Sequence, residues 1–457
     1  MLSCLRPIAN TIHYDGVIVL GQSISGTTAV GIAASVEAAI RDGQLPAGAQ
    51  LQPIRALATE LGVSPMTVAS AYREVGRRGL VVAAGRRGTR VADRPPLPVR
   101  SRIFVPPGTR DLATGNPDPE LLPSLADALG RIDTSRRLAL EEGKLPVLVE
   151  LAAERFAADG LTTSGVAVVG GALDGIERAL LAHLRPGDRV AVEDPGFVRA
   201  YDLLRPLGLD LEPFRLDDLG PRLDELDRAL ERGARAVILT PRAQNPTGAA
   251  IDAKRARELR DLLTAREDVL VIEDDHADGV AGSPAFTVCD PGRPNWATVR
   301  SVSKSLGPDL RVALLAGDAT TLSRVEGRQL IGPGWVSRIL QQIVVTFWSD
   351  PVARELLARA ERTYTARRVR LLQELTERGI RAHGRSGLNV WIPVRDESAA
   401  VAALLQRGWA VTGLERWRLH SEAAIRITTA TLDVEEAGPL ADDVAAALET
   451  HAGTYSA

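Results

Sequence analysis

The spacing of apolar residues near the start of the chain predicts three short helices. Ile32, Val36 and Ile40 recur at four-residue intervals, which predicts an amphipathic helix within residues 29–45. In the next run, "PIRALATELGVSPMTVASAYREVGRRGLVV", two more apolar faces are separated by a glycine and by a Ser-Pro pair that favours a helix start. Two short helices joined by a tight glycine turn are typical of a helix-turn-helix.

A strand, a turn and a second strand are predicted directly after these helices. Residues 80–82 and 89–91 are rich in apolar and β-branched side chains, and they flank the turn sequence "AAGRRG". Two arginines at the tip of such a hairpin would reach a phosphate backbone or a minor groove.

A proline-rich segment separates this small domain from the rest of the chain. Residues 93–110, "DRPPLPVRSRIFVPPGTR", contain five prolines, which predicts a semi-stiff linker. We therefore expect an N-terminal extension over residues 1–25, a small domain over 26–92, the linker, and a large domain over 111–452.

The large domain alternates short β-branched runs with helical runs. The predicted strands are residues 166–169, 189–192, 234–239, 269–272, 298–302 and 312–316, and the predicted helices include 174–184 and 253–264. Alternation of this kind predicts an α/β fold with helices on both faces of the sheet. Ligands of such sheets bind at the carboxyl ends of the strands.

Composition excludes several classes of protein. The chain is 45% hydrophobic and 25% charged, and it contains no run of about 18 apolar residues, so we expect no membrane partner. The first 25 residues lack the features of a secretory signal. Cys4 and Cys289 are the only cysteines. Two distant cysteines favour a cytoplasmic protein with neither a disulfide framework nor a metal site.

The charge is unevenly distributed. Residues 1–95 contain ten arginines and six acidic residues, whereas the chain as a whole carries a net charge of −3. A basic small domain on an acidic large domain favours a polyanion as partner of the small domain. A solvated charged surface is the alternative.

Residues whose side chains could react with or bind a ligand lie at the ends of the predicted strands. Lys304, one of three lysines in the chain, lies between two serines in "SVSKSLGPDLR", and a desolvated lysine amine can attack a carbonyl. Asp274 lies in "VIEDDHADG", Asn245 in the turn "TPRAQNPTG", and Phe197 in "VEDPGF". The glycines of "VVGGALDGIERAL" open a helix whose first N–H groups would bind an anion.

Together these groups match the needs of pyridoxal 5′-phosphate. A lysine forms the imine with its aldehyde, an aspartate keeps the ring nitrogen protonated, an asparagine binds the ring oxygen and an aromatic side chain stacks on the ring. Serines, an arginine and a helix N-terminus hold the phosphate. Each motif alone also has a structural explanation as a turn, a cap or a core residue, but the conjunction predicts this cofactor.

Residues 26–92 resemble the winged helix-turn-helix of the GntR family, through "LATELGVS", "TVASAY" and the glycine-rich wing. The resemblance implies double-stranded DNA as a partner. It assigns DNA contacts to six residues: Arg55, Ser64, Thr67, Arg86, Arg87 and Gly88. Pro65 and Met66 stand where the family commonly has polar or basic residues, which favours contacts with phosphates and DNA shape over direct contacts with bases. An interaction module that binds no DNA is the alternative.

Residues 111–450 resemble a fold-type I, class I aminotransferase, and the whole chain is similar to the MocR family of regulators. The runs "GARAVILTPRAQNPTG", "EDDH" and "RSVSKSLGPDLR" are most like the PtsJ type, which is linked to vitamin B6 metabolism. The resemblance implies an α/β fold with a mixed, mainly parallel sheet, a smaller C-terminal α/β subdomain, and a homodimer.

The resemblance also assigns roles by position. Lys304 forms the imine, Asp274 pairs with the ring nitrogen, Asn245 contacts the ring oxygen, Phe197 stacks, His276 lies near the ring oxygen, Ala172, Leu173, Ser301, Ser303 and Arg311 bind the phosphate, and Arg426 in "AIRITT" binds a substrate or effector carboxylate.

Two departures bear on catalysis. His276 stands where the wider family usually has a tyrosine, and Ala139 and Leu140 occupy a segment in which aminotransferases usually supply a tyrosine to the neighbouring subunit. We therefore expect a transcription regulator that senses pyridoxal 5′-phosphate, with or without a small amino compound as effector, and that controls vitamin B6 salvage through a target such as a pyridoxal kinase gene. A working aminotransferase with a vestigial DNA-binding module is the alternative, and a scaffold that has lost the cofactor is a third.

Overall fold

The chain divides into two units, residues 1–102 and residues 103–457. The computed structural model describes residues 12–14, 17–19, 24–83, 88–92, 105–133 and 143–449. The prediction for the wing tip and the comparison of Ala139 and Leu140 with a tyrosine therefore lie outside the described residues.

The described residues of the first unit form three helices and two short strand pairs. Its elements are β1 (Ile12–Tyr14), β2 (Val17–Val19), α1 (Ala29–Arg41), α2 (Ile54–Leu61), α3 (Pro65–Arg77), β3 (Val81–Ala83) and β4 (Thr89–Val91). Strands β3 and β4 pair antiparallel, and residue Gln50 bridges to Arg90 on the other edge of β4. The order of three helices and a hairpin is that of a winged helix.

The turn between α2 and α3 follows from two local signals. Gly62 ends α2 in the left-handed conformation, with φ of 65°, which a residue with a side chain adopts only at a cost. Ser64 then caps α3, because its Oγ accepts a hydrogen bond from the N–H of Thr67 at 3.1 Å. The helix-turn-helix predicted from the sequence is confirmed.

The second unit contains the remaining elements. Up to the middle of its large sheet these are β5 (Arg110–Asp111), α4 (Leu125–Leu129), α5 (Pro146–Ala158), β6 (Val166–Val169), α6 (Ala172–His183), β7 (Arg189–Asp194), α7 (Val198–Leu204), β8 (Asp210–Asp217), β9 (Gly220–Pro221), α8 (Leu223–Glu231) and β10 (Ala234–Leu239). They are followed by α9 (Ala253–Thr264), β11 (Leu270–Asp275), β12 (Trp296–Ser301), β13 (Ala313–Gly317), α10 (Ala319–Ile331), α11 (Arg338–Ser349), α12 (Pro351–Glu377), β14 (Asn389–Pro393), α13 (Glu397–Gln406), β15 (Trp409–Ala410), β16 (Thr412–Gly413), β17 (Ala424–Thr428) and α14 (Ala437–Glu449).

Eight strands form the large sheet, in the order β6-β13-β12-β11-β10-β7-β8-β9. Strands β12, β11, β10, β7 and β8 run parallel, β13 runs antiparallel to both of its neighbours, and β9 is antiparallel to β8. The predicted mixed, mainly parallel sheet is confirmed. Because β13 is reversed, its first residues lie at the same edge as the carboxyl ends of the parallel strands.

Apolar side chains cover both faces of this sheet. Along β10, Val237 belongs to one buried cluster and Ile238 to the other, and Val271 and Ile272 divide in the same way along β11. This alternation explains why these strands are continuous apolar runs in the sequence, since each face is covered by helices.

A smaller α/β part follows at the C-terminus, as the resemblance implied. Strands β14, β17 and β16 form an antiparallel sheet, and β15 pairs with β5. Their apolar residues pack with α13, α14 and the end of α12 in a separate cluster. No helix in the described part of the chain is long and apolar enough to cross a membrane.

Two of the parallel strands extend by two or three residues beyond their predicted ends. Strand β7 continues to Asp194 and β11 to Asp275, although the prediction stopped each at its last apolar residue. The added acidic residues remain buried in the sheet because hydrogen bonds or ion pairs satisfy most of their oxygens. This extension brings carboxylates to the edge where the candidate site lies.

Candidate functional site

Five of the predicted cofactor-site residues come from the ends of five strands at one edge of the large sheet. Phe197 follows β7, Asn245 follows β10, Asp274 is the next-to-last residue of β11, Lys304 follows β12 and Arg311 precedes β13. The reversed direction of β13 brings Arg311 to the edge from which the parallel strands emerge.

Lys304 lies in a cationic environment. Its Nζ donates to the carbonyl oxygen of Gly115 at 2.5 Å. Burial, followed by the positive charges of Arg426 and Arg199, lowers the pKa of Lys304 to about 8. The amine is therefore far easier to deprotonate than an ordinary lysine amine, which is the condition for reaction with a carbonyl.

Arg426 connects the two parts of the second unit. It is 2% exposed and lies on β17 of the small sheet. Its guanidinium donates to Asn245 Oδ1 at 3.0 Å and to the carbonyl oxygen of Ala113, but forms no ion pair with an acidic residue of the described chain. Its Nε is buried without a hydrogen-bond partner in the same residues, and burial lowers its pKa to about 10. A buried arginine without an anion is suited to bind one from a ligand.

The tryptophan Trp417, which the sequence analysis missed, lies between Arg426 and Phe197. Its ring lies 4.7 Å from Arg426 Cζ and its centroid is 5.8 Å from that of Phe197. The segment that carries it is held by Asp194, which accepts the backbone N–H groups of residues 419–421 at 2.6 to 3.0 Å. Phe197 and Trp417 thus form an aromatic pair beside the cationic groups.

Asp274 is a buried carboxyl with an unused oxygen. It is 7% exposed, and no described residue donates a hydrogen bond to its Oδ1. Burial, then the negative charges of Asp275 and Glu193, raises its pKa to about 7. An incoming cationic or N–H group would relieve this unfavourable state.

Glu193, at the end of β7, is a second buried acid that the sequence analysis did not identify. Its carboxylate accepts from the backbone N–H of Thr240 at 2.7 Å and from Gln244 Nε2 at 3.0 Å. Burial raises its pKa to about 7 despite these hydrogen bonds. His276 is also enclosed, and burial followed by the charge of Lys304 lowers its pKa to about 4, so its imidazole is neutral at pH 7.

The start of α6 forms a concave backbone surface. Gly171 caps the helix with φ of 104°, and a Cβ on it would lie 2.7 Å from Arg311 Nη2. Ala172 and Leu173 follow in the first turn, where backbone N–H groups lack helical partners. The N–H of Gly170 is already used, since it donates to Asp174 at 2.8 Å.

Ser301 and Ser303 lie together at the end of β12. Ser301 Oγ donates to Ser303 Oγ at 3.1 Å and accepts from the N–H of Ser303 at 3.2 Å. Two hydroxyls, the first turn of α6 and Arg311 supply the kinds of donor that a phosphate needs.

Arg199 adds a cation that no motif indicated. It lies in the first turn of α7, two residues after Phe197. Burial and the charge of Arg311 lower its pKa, and its charge in turn bears on Lys304. The site therefore holds three guanidinium groups around one amine, which favours a ligand with more than one negative charge.

The predicted DNA-contact residues lie in the first unit. Arg55 is exposed on α2, and Ser64 and Thr67 occupy the start of α3 with their hydroxyl oxygens 2.9 Å apart. Gly88, with φ of 81°, precedes β4, and Arg86 and Arg87 lie outside the described residues. No group of His, Cys, Asp and Glu side chains within the described ranges could hold a metal ion.

Comparison with protein families gives two matches. Residues 109–444 match the model of aminotransferases of class I and II, and residues 28–91 match the model of bacterial regulatory proteins of the gntR family.

Comparison with individual proteins gives matches over most of the chain and over smaller parts of it. The vitamin B6 salvage pathway transcriptional repressor PtsJ of Salmonella typhimurium is 40% identical over 431 residues, which covers 93% of this chain and 99% of the repressor. The pyridoxine biosynthesis regulator PdxR of Corynebacterium glutamicum is 29% identical over 51% of this chain and 53% of that protein. The solved structure of LysN, an alpha-aminoadipate aminotransferase of Thermus thermophilus, superposes with a TM-score of 0.65 at 24% identity, covering 75% of this chain and 93% of LysN.

Proposed function

This chain belongs to the MocR-type regulators, which join a GntR module to an aminotransferase class I and II domain, and we propose that it is a DNA-binding transcription regulator that senses pyridoxal 5′-phosphate. The observation that carries the proposal is the pair formed by Lys304 and Asp274. One is an amine with a lowered pKa, and the other is a buried carboxyl with an unsatisfied oxygen.

The residues fit this cofactor. Asp274 Oδ1 needs a donor, and a protonated pyridine nitrogen would supply one. Gly171 leaves room beside Arg311 that a side chain would fill. Asn245 Oδ1 is occupied by Arg426, so the amide nitrogen of Asn245 is the group that remains to donate to a ring oxygen.

Each residue has a separate task in holding the cofactor. Lys304 would supply a neutral amine for the aldehyde, and Asp274 in its ionised form would hold a proton on the ring nitrogen. Phe197 would stack on the ring, and Arg311, the two serines and the N–H groups of Ala172 and Leu173 would bind the phosphate. The cofactor, when bound, supplies an electron-withdrawing ring for amino compounds.

Arg426 and Arg199 are the groups that we propose for the carboxylate of an amino effector. Both charges act on Lys304, so an anion bound to them would raise the basicity of that amine. Trp417 covers Arg426 on one side and limits access of water to such an ion pair.

The regulated genes that we propose are those of vitamin B6 salvage. PtsJ is a repressor of that pathway, and its similarity extends over both units of this chain. We further propose a homodimer, since a dimer would present paired modules to two half-sites on DNA.

We infer that the domain binds the cofactor without efficient transamination. His276, neutral and at the position of a usual tyrosine, donates or accepts hydrogen bonds but lacks a phenol. The aminotransferase fold makes a working enzyme the second candidate. Turnover of amino acids with a keto acid, assayed on the purified chain, distinguishes the two.

The first experiment is fluorescence anisotropy of the full chain on DNA from upstream of its own gene and of nearby vitamin B6 genes, with and without pyridoxal 5′-phosphate. We expect a change in affinity that Lys304→Ala removes. Equal affinity in both conditions would contradict cofactor sensing, and no binding at moderate salt together with amino-acid turnover would favour the enzyme.

A further inference from the structure

The outward face of α3 begins with an exposed apolar side chain. Met66 is 69% exposed, although Val68, Ala71 and Val75 on the opposite face are completely buried. Met66 and Met1 are the only methionines in the chain. Covering a large exposed apolar side chain with an apolar group of a partner is favourable, because it removes apolar surface from water.

Small residues and a cation continue the same face. Ala69 and Ser70 lie one turn after Met66, and Arg73 lies two turns after it and is exposed. The short side chains in the middle let the helix backbone approach a surface closely. From its N-terminal end, the face therefore presents an apolar side chain, then two short side chains, then a positive charge.

Two exposed arginines, Arg73 on this face and Arg55 on α2, add positive charge to the helix-turn-helix. Arg78 pairs with Glu37 and Glu74, whereas Arg55 and Arg73 form no ion pair with any acid in the described part of the first unit. Both remain available for phosphates, which makes the surface electrostatically complementary to a nucleic acid. The local framework is rigid, because Ser64 caps α3 and Tyr72 donates to the carbonyl oxygen of Gln52 at 2.9 Å.

We propose that α3 recognises thymine in the major groove through an apolar contact between Met66 and the thymine methyl group. The proposal rests on the proposed DNA-binding function and specifies which base feature is read. The major groove of an A·T pair offers one apolar group, the C5 methyl, whereas a G·C pair offers only polar groups at the same edge. The flexible thioether of Met66 adapts to that methyl, while Arg55 and Arg73 bind the flanking phosphates.

The test replaces thymine by deoxyuridine, which removes the methyl and leaves base pairing unchanged. Duplexes bound by the full chain, both with and without pyridoxal 5′-phosphate, are first selected from a random library. The best duplex is then made with deoxyuridine at each thymine in turn, and affinities are measured by fluorescence anisotropy.

We expect a loss of about fourfold at one position of each half-site for the unmodified chain, which is the effect of burying one methyl-sized group. Met66→Ala should bind both forms equally, and Met66→Leu should restore part of the preference. Val30→Ala is the matched control, since Val30 is 75% exposed on α1 of the same unit, and it should retain the full preference for thymine.

Three outcomes overturn the inference. A penalty for deoxyuridine that persists in Met66→Ala assigns the methyl contact to another residue. Absence of any penalty in the unmodified chain, with DNA still bound, removes the methyl contact while leaving the proposed function intact. Selection that enriches no duplex overturns the proposed function and this inference together.

Discussion

The pKa values of two adjacent aspartates at the end of β11, Asp274 and Asp275, are shifted in opposite directions. Asp274 faces no donor at Oδ1, and burial raises its pKa to about 7. Burial also acts to raise the pKa of Asp275, but the guanidinium groups of Arg242 and Arg300 outweigh it and lower the pKa to about 2. The hydrogen bonds of Asp275 to these arginines are 2.8 to 2.9 Å long. Asp274 therefore has an oxygen available for a ligand, whereas the neighbouring Asp275 pairs with arginines of the protein itself.

The first prediction is that Asp274→Asn stabilises the protein without cofactor at pH 8. The unfolded chain releases this proton near pH 4 and the folded chain near pH 7, so the folded state binds more protons between these values and loses stability as pH rises. Removing the titration should raise the free energy of unfolding at pH 8 by up to about 4 kcal/mol, since the pKa is raised by about three units and each unit contributes about 1.4 kcal/mol. Urea unfolding at pH 5 and pH 8 measures it.

Asp275→Asn is the matched comparison and should act in the opposite direction. It leaves two buried guanidinium groups without their shared counter-charge, which typically costs about 3–5 kcal/mol. Equal effects of the two substitutions on stability at pH 8 would contradict the assignment of opposite charge preferences.

The second prediction concerns Lys304→Ala, which should abolish covalent attachment of pyridoxal 5′-phosphate, measured by borohydride trapping and mass spectrometry. In the unmodified chain the rate of attachment should fall about tenfold per pH unit below pH 8, because only the neutral amine reacts. Lys254→Ala is the control, since its side chain is 77% exposed on α9. Trapping at an unchanged level in Lys304→Ala would exclude this lysine.

At the scale of elements, the start of α6 is shaped by its glycine cap. Gly171 has φ of 104°, and an added Cβ would force the Arg311 guanidinium to move from the helix start. Our third prediction is that Gly171→Ala weakens binding of pyridoxal 5′-phosphate at least tenfold but weakens binding of pyridoxal, which lacks the phosphate, much less.

Gly187→Ala controls for backbone strain in this experiment. Gly187 has a similar φ of 93°, but no atom lies within 4 Å of the position of its Cβ. Both variants should lose on the order of 1 kcal/mol of stability, and only Gly171→Ala should change the ratio of the two affinities. An unchanged ratio would separate the start of α6 from phosphate binding.

The sequence predicted the elements better than the contacts between them. Strands β6 and β10 and helix α9 agree with their predicted bounds, because runs of β-branched residues and helical spacing are local signals. Trp417 and Arg199 were missed because neither lies in a sequence motif that indicates a place in the site. The segment that carries Trp417 is held at the site by hydrogen bonds from the backbone N–H groups of residues 419–421 to Asp194, more than 200 residues away.

The same distinction separates the site residues. Lys304, Asn245 and Asp274 lie in recognisable runs at strand ends, and the topology of a parallel sheet was enough to expect them at one edge. The contact of Lys304 with the carbonyl of Gly115 spans 189 residues and depends on tertiary packing alone. The role of each of these residues stays a prediction that the substitutions above test.

At the scale of the whole molecule, the chain joins two units that each present cations to an anionic ligand. In the described part of the first unit, Arg55 and Arg73 are exposed on the helix-turn-helix, and the second unit encloses cations suited to a small anionic cofactor. If binding of the cofactor and binding of DNA are coupled, each ligand changes the binding free energy of the other by the same amount. A factor by which the cofactor changes DNA affinity must equal the factor by which DNA changes cofactor affinity.

The fourth prediction is this reciprocity. The affinity for an operator duplex is measured by anisotropy at zero and saturating pyridoxal 5′-phosphate, and the affinity for the cofactor is measured by equilibrium dialysis with and without the duplex. We expect equal factors of roughly 5 to 150, which correspond to coupling free energies of about 1–3 kcal/mol. Lys304→Ala should bring both factors towards one, whereas Lys254→Ala should leave them unchanged. Factors of one in the unmodified chain, with both ligands bound, would mean that the two units act independently, and the second unit would then be an enzyme or a cofactor store rather than a sensor.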